Sequence, residues 1–216
     1  MSRFALALTL TLALLAAAGP SAHADGTDIQ TSGPEQFPGK HELAAHLGGQ
    51  VGLSGFSYGG GTPGGFKLML EYGYRLTDLW WLNAGVNLVV AGGCSPATCA
   101  YVGTGNTVEP QVGIKVKFKT QIPLVAYAKA DAAIIGIYNR YCTNNGFALG
   151  GRVGGGANYY LLKNLGVGVE AAFTVGPAFL GSATAEQCGV IAPTTATSHI
   201  ELYAAIDFTL GAEFLF

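Results

Sequence analysis

From residue 41 to its last residue the chain alternates apolar with polar or small positions at a period of two. The stretch Ile206 to Phe216 shows it most plainly: Ile206, Phe208, Leu210, Ala212, Phe214 and Phe216 are apolar, with Asp207, Thr209, Gly211 and Glu213 among the residues between them. This period belongs to a strand whose two faces meet different surroundings. The alternation recurs in eight segments, placed at 41–54, 65–76, 79–91, 106–118, 122–138, 147–162, 165–178 and 198–215. Each is long enough to cross a bilayer at a tilt, which takes roughly 9 to 11 residues.

Charges follow the alternation. Glu42 shares a face with His46 and Gln50, opposite Leu43, Ala45, Leu47 and Val51. Lys67, Glu71 and Arg75 share one in the second segment, Glu109, Lys115 and Lys117 in the fourth, Lys129 and Asp131 in the fifth, and Glu201, Asp207 and Glu213 in the eighth. Arg152 and Glu170 are alone in theirs, and the third segment sets Asn83 and Asn87 opposite Trp80, Leu82, Ala84 and Val86. Once one charge fixes the phase of each strand, the seven others all agree, an outcome of roughly one in 128 by chance under strict alternation. A Lys or Arg on a lipid-facing position would cost about 2 to 4 kcal/mol at the bilayer midplane. The pattern puts none there.

The connections alternate in length. Thr77-Asp78, Lys119 to Gln121 and Lys163-Asn164 are tight turns, whereas 55–64, 92–105, 139–146 and 179–197 are long loops. Short turns at one end, long loops at the other and both termini on the short side predict an antiparallel, up-and-down, eight-stranded transmembrane β-barrel over 40–216. Pro110 disturbs its strand, because it has no N–H to donate, and predicts a bulge or local break.

Composition narrows the surroundings of this barrel. Half of the residues are hydrophobic and 11% are charged, against about 25% charged in an average soluble domain. Residues 1–24 predict a secretory signal peptide, with Arg3, a largely apolar run from Phe4 to Ala18 and the small-x-small end Ala22-His23-Ala24. Residues 25–39, with Pro34 and Pro38, predict a flexible leader. Beyond the signal no run of 18 apolar residues occurs, so the expected spanning elements are strands. Without Arg3 the chain has ten basic and 13 acidic residues, a net charge of −3, and no nucleic-acid partner is expected.

A soluble lipid-carrying barrel would be apolar inside and thick with Lys, Glu and Thr outside. Here the non-apolar face is rich in small residues, among them Gly48, Gly73, Gly85, Gly113, Gly154 and Gly168. That suits the narrow interior of eight strands. Tyr74, Trp80, Phe118 and Phe216 near the short turns, and Phe56, Phe66, Tyr138 and Phe147 near the loops, are placed as interfacial aromatics.

The whole exported chain resembles the small eight-stranded outer-membrane barrels typified by the OmpA transmembrane domain and OmpX. Gly211, Phe214 and the final Phe216 match the end of their last strand. The resemblance implies an assembly signal read by the barrel-assembly machinery, and location in an outer membrane of Gram-negative type among its lipids and lipopolysaccharide. A periplasmic peptidoglycan-binding domain is not expected, so a cell-wall tether does not carry over.

Four cysteines, Cys94, Cys99, Cys142 and Cys188, all fall in long loops. An even number in an exported chain points to disulfides with three possible connectivities. Pairing of Cys94 with Cys99 and Cys142 with Cys188 is favoured, because the others join loops across the barrel mouth. Glu71, Glu109, Lys129, Asp131, Arg152, Glu170 and Asp207 form the expected lumen charge network, with Arg152, Lys129, Asp131 and Glu109 crowded together in the middle-to-upper lumen. His46 is expected to be satisfied by Glu42 and Glu71. Ser198, His199 and Glu201 do not reproduce the motif of outer-membrane lipid-A deacylases, and no catalytic residue, metal or cofactor is expected. The Gly-rich stretches 58–65 and 150–156 have no Gly-Lys-Ser/Thr ending and do not predict a phosphate loop. The expectation is a monomeric, non-enzymatic outer-membrane barrel serving envelope integrity or surface interaction through its loops, with an unnamed extracellular ligand. The alternatives are a small porin-like channel and a lipid-modifying enzyme.

Overall fold

The computed structural model describes residues 39–54, 62, 64–90, 105–120, 122–139, 145–181 and 199–216. They form eight strands: β1 His41–Gly52, β2 Gly65–Arg75, β3 Trp80–Val90, β4 Gly105–Lys119, β5 Leu124–Asn139, β6 Gly146–Tyr160, β7 Leu165–Leu180 and β8 His199–Leu215. Each strand pairs antiparallel with the next, and β8 pairs with β1 to close the barrel. The alternation sets the faces, and closure removes both free edges.

The closing seam runs from Glu42↔Leu215 to Gly52↔Ala205, so the terminal strand meets the first along its length. At its lower end the amides of Lys40 and His41 donate to the carbonyl oxygen of Phe216, at 3.1 and 3.0 Å. Gly39 supports this junction in a left-handed conformation, φ 84°, where an added Cβ would lie 2.1 Å from that same oxygen. Only glycine satisfies both conditions at no steric cost.

Large apolar side chains face outward on every strand: Leu47, Phe66, Leu82, Ile114, Ile134, Val153, Val169 and Leu210 are each more than 40% exposed. Charged side chains face inward, with Glu42, Lys67, Glu71, Glu109, Lys117 and Asp207 at most 2% exposed. This polarity is the inverse of a soluble domain and suits an apolar solvent around the wall.

Pro110 breaks one ladder without shifting it. Val108 pairs with Gly136 and Gln111 with Ala133, and the two rungs between them are missing. A second gap interrupts β6–β7 between Ala148↔Ala178 and Gly151↔Val175, beside Pro177. The break expected at Pro110 is therefore present as two lost rungs, with no bulge. An outward groove of about 560 Å³, lined by Pro110, Val112, Ile134 and Leu149 among others, lies at the first gap.

Candidate functional site

The lumen is filled in three tiers. At the turn end Trp81, Val125 and Leu215 pack together with Tyr160 against them. At the loop end Ile135, Ile137, Leu180 and Tyr203 pack with Ala133, Ala148, Ala178 and Ala205. The middle tier is ionic.

That tier is one continuous chain of alternating charges. Glu213 meets Lys117 at 2.5 Å, and Lys117 meets Glu42 at 2.5 Å. Glu42 also accepts from Lys115 at 2.6 Å, and Lys115 continues to Glu71. Lys129 then joins Glu71 to Glu170, both at 2.9 Å. Arg152 joins Glu170 at 2.9 Å to Asp207 at 2.6 Å. Lys67 joins Asp207 at 3.0 Å to Glu109 at 3.4 Å. Each cation bridges two carboxylates, and each internal carboxylate receives two cations. The zigzag climbs the lumen from Glu213, near the turns, to Glu109, near the loops.

Local strand geometry produces this order. Lys115 and Lys117 are two residues apart on β4, so both point inward and straddle Glu42, which projects from β1. The intervening β3 contributes no charge. Its Asn83 donates to Asp131 at 2.6 Å, and its Asn87 donates to Glu109 at 3.2 Å and to Gln111 at 3.0 Å. The zigzag has six carboxylates to five cations, and neutral donors serve its two ends. Asn158 and the Tyr160 hydroxyl donate to Glu213. The hydroxyls of Thr107 and Tyr203 donate to Glu109 at 2.8 and 3.0 Å. Aromatic faces add to this: Lys117 Nζ stands 4.6 Å from the centroid of Trp81 and Lys115 Nζ 5.2 Å from that of Tyr127.

The seven network residues read from the sequence all lie inside, but their partners differ from the expected crowding. Asp131 stands opposite Arg152 in the β5–β6 ladder, yet the guanidinium reaches sideways to Glu170 and Asp207. Lys129 reaches Glu71 and Glu170, while Glu109 takes Lys67. Long cations span the narrow lumen more easily than they turn onto a ladder neighbour. Glu42, Lys67, Lys115, Lys117 and Glu213 complete the chain. Their inward phase is legible in the sequence, but membership of the chain depends on reach across the lumen, which periodicity does not specify. The inward aromatics Trp81, Tyr127, Tyr160 and Tyr203 carry no charge that would mark them in the sequence as part of it.

His46 departs from expectation. Its Nδ1 has no hydrogen-bond partner among the described residues, and its ring lies against Gly211, where an added Cβ would come within 2.5 Å. The expected pairing with Glu42 and Glu71 is replaced by their lysines. Glycine at 211 makes room for this imidazole.

Tyr74, Trp80, Phe118 and Phe216 are all exposed on the wall near the turns, as are Phe66, Tyr138 and Phe147 toward the loops. Phe216 stacks on His41 with ring centroids 5.5 Å apart, and Phe214 lies 6.1 Å from Phe216. Cys94, Cys99, Cys142, Cys188, Phe56 and Ser198 lie outside the described residues, as does the side chain of His199. Among the described residues no group of three or more His, Cys, Asp or Glu could hold a metal ion.

No protein-family model matches the sequence, and no curated protein matches it. Solved structures do match in shape. Neisserial surface protein A (NspA) aligns with a TM-score of 0.55 at 14% identity, over 82% of this chain and 97% of its own. The outer membrane protein OprG from Pseudomonas aeruginosa aligns with a TM-score of 0.50 at 9% identity, over 84% and 99%. At such identities the likeness is one of architecture, and the chain has the fold of the small eight-stranded outer-membrane β-barrels.

Proposed function

We propose that this chain is an integral outer-membrane protein that works without catalysis, as a solid barrel presenting its long loops at the outer surface for envelope integrity or surface interaction. The observation that carries the reading is the filled lumen, where an unbroken zigzag of ion pairs lies between two apolar clusters. Five cations that each hold two carboxylates across the lumen support a plugged interior over a water-filled path. Function then belongs to the loop side. Lipid, lipopolysaccharide and the barrel-assembly machinery are the partners that this reading implies, with Gly211, Phe214 and Phe216 as the assembly signal. Disulfides Cys94–Cys99 and Cys142–Cys188 would make the loops a compact cap, and peptide mapping without reduction tests that pairing.

Planar-bilayer recording tests the solid barrel. The purified protein, folded in detergent and added to a bilayer, gives no reproducible conductance steps. Discrete openings that disappear in Arg152→Ala or Lys129→Ala would replace this reading with the channel.

A further inference from the structure

Beyond the zigzag, the basic residues gather at the turn end of the barrel. Of the ten basic residues beyond Arg3, five form the zigzag, four (Lys40, Arg75, Lys119 and Lys163) adjoin the short turns, and Arg140 alone falls in a long loop. The acids do not follow them. Asp78 is the sole carboxylate side chain in the short turns, and it meets Arg75 at 3.8 Å; Arg75 is on the inward phase of β2 with its side chain 19% exposed and is partnered, whereas Lys40 and Lys163 are exposed.

These cations are set among apolar groups. Leu76 and Leu79 flank the first turn, Ile122 lies in the second, Leu161 and Leu162 precede Lys163 in the third, and each is 40% or more exposed. The exposed rings of Tyr74, Trp80 and Phe216 lie one step further along the wall. The Arg75 amide donates to the Lys40 carbonyl at 2.8 Å, which sets those two residues side by side, and the Leu215 amide donates to the Asn164 carbonyl at 2.8 Å, which brings the Lys163 turn against the end of β8. Lys163 and Lys40 therefore flank the end of β8 over the β7–β8–β1 arc, with the His41–Phe216 ring stack between.

We propose that this arc is a binding collar for the phosphate headgroups of anionic phospholipids in the leaflet at the turn end. The phosphate would meet the cations, the glycerol region the rings and the acyl chains the leucines. Charge complementarity argues for an anion, and the half-exposed aliphatic residues between the cations argue for one that continues into hydrocarbon. The acidic leader, with Asp25, Asp28 and Glu35, offers charge, but Ile29 and Phe37 are its only large apolar side chains against five exposed aliphatic residues at the turns. The collar is independent of the solid lumen and of whatever the loops do.

The test reconstitutes the full exported chain in phosphatidylcholine vesicles containing a fixed fraction of either phosphatidylglycerol or phosphatidylcholine brominated close to the headgroup. Quenching of the exposed Trp80 is read, with buried Trp81 as constant background. Brominated phosphatidylglycerol is expected to be enriched at the wall roughly fivefold over brominated phosphatidylcholine, the equivalent of ~1 kcal/mol for one cation near an anionic lipid. Lys40→Ala/Lys163→Ala should abolish the preference while keeping the folded barrel's gel migration. Soluble glycerol phosphate should not compete. Equal quenching by the two lipids overturns the proposal, as does a preference that survives the double variant or that glycerol phosphate removes. A preference that appears only after Asp25→Asn/Asp28→Asn/Glu35→Gln would overturn it in favour of the leader as the occupant.

Discussion

Truncating Arg152 removes cations from Glu170 and Asp207 at once, and both carboxylates are buried. Lys129 and Lys67 remain beside them, each already shared with another acid. Breaking one partner out of a buried ionic set costs about 3 to 5 kcal/mol. Arg152→Met should lower the unfolding free energy by about that much in urea titrations in detergent, and a loss below about 1 kcal/mol would contradict the continuous chain. Gly211 makes a second test. Its missing Cβ would sit 2.5 Å from the Ala45 carbonyl oxygen as well as from the His46 ring, so Gly211→Ala should cost about 1 to 3 kcal/mol through overpacking. His46→Ala should not restore it, because the carbonyl stays. The sequence resemblance marked Gly211 as part of an assembly signal. The imidazole that also requires it could not be read there, because it comes from the opposite end of the chain.

Strands were the most legible feature, for a physical reason: one misplaced residue would turn a charged row into lipid. The segment read as 65–76 is Gly65–Arg75, and the one read as 165–178 is Leu165–Leu180. Side-chain partners were less legible, because periodicity specifies a face and says nothing of how far a lysine reaches across the lumen. Pro110 shows what a single residue does to an element. Its neighbours keep register, so the cost is the two lost rungs alone. Pro110→Val should supply the missing donor and raise stability by about 1 kcal/mol. Hydrogen exchange checks the location: protection should increase around Ile134 and Ile135, and an increase spread evenly over the barrel would count against a local break.

For the whole molecule, the inverted distribution of polar groups gives two simple expectations. The folded barrel should migrate differently in detergent gels before and after boiling, and identical migration would remove the case for a stable membrane barrel. Its stability should also be nearly unchanged between about 0.1 M and 1 M salt, because charges withdrawn from water are poorly screened; a steep salt dependence would place the network in contact with solvent. The zigzag bears finally on the order of events during insertion. Two of its carboxylates, Asp207 and Glu213, belong to β8, the last strand to be synthesised. Before that strand arrives, the chain of charges falls into two pieces. The longer begins and ends on a cation, Lys117 and Arg152, and the shorter leaves Lys67 with Glu109 alone. A seven-stranded intermediate thus leaves Lys67 on β2, Lys117 on β4 and Arg152 on β6 each short of one of its two carboxylates, which favours the arrival of the strand that carries Asp207 and Glu213 over closure of β7 directly onto β1.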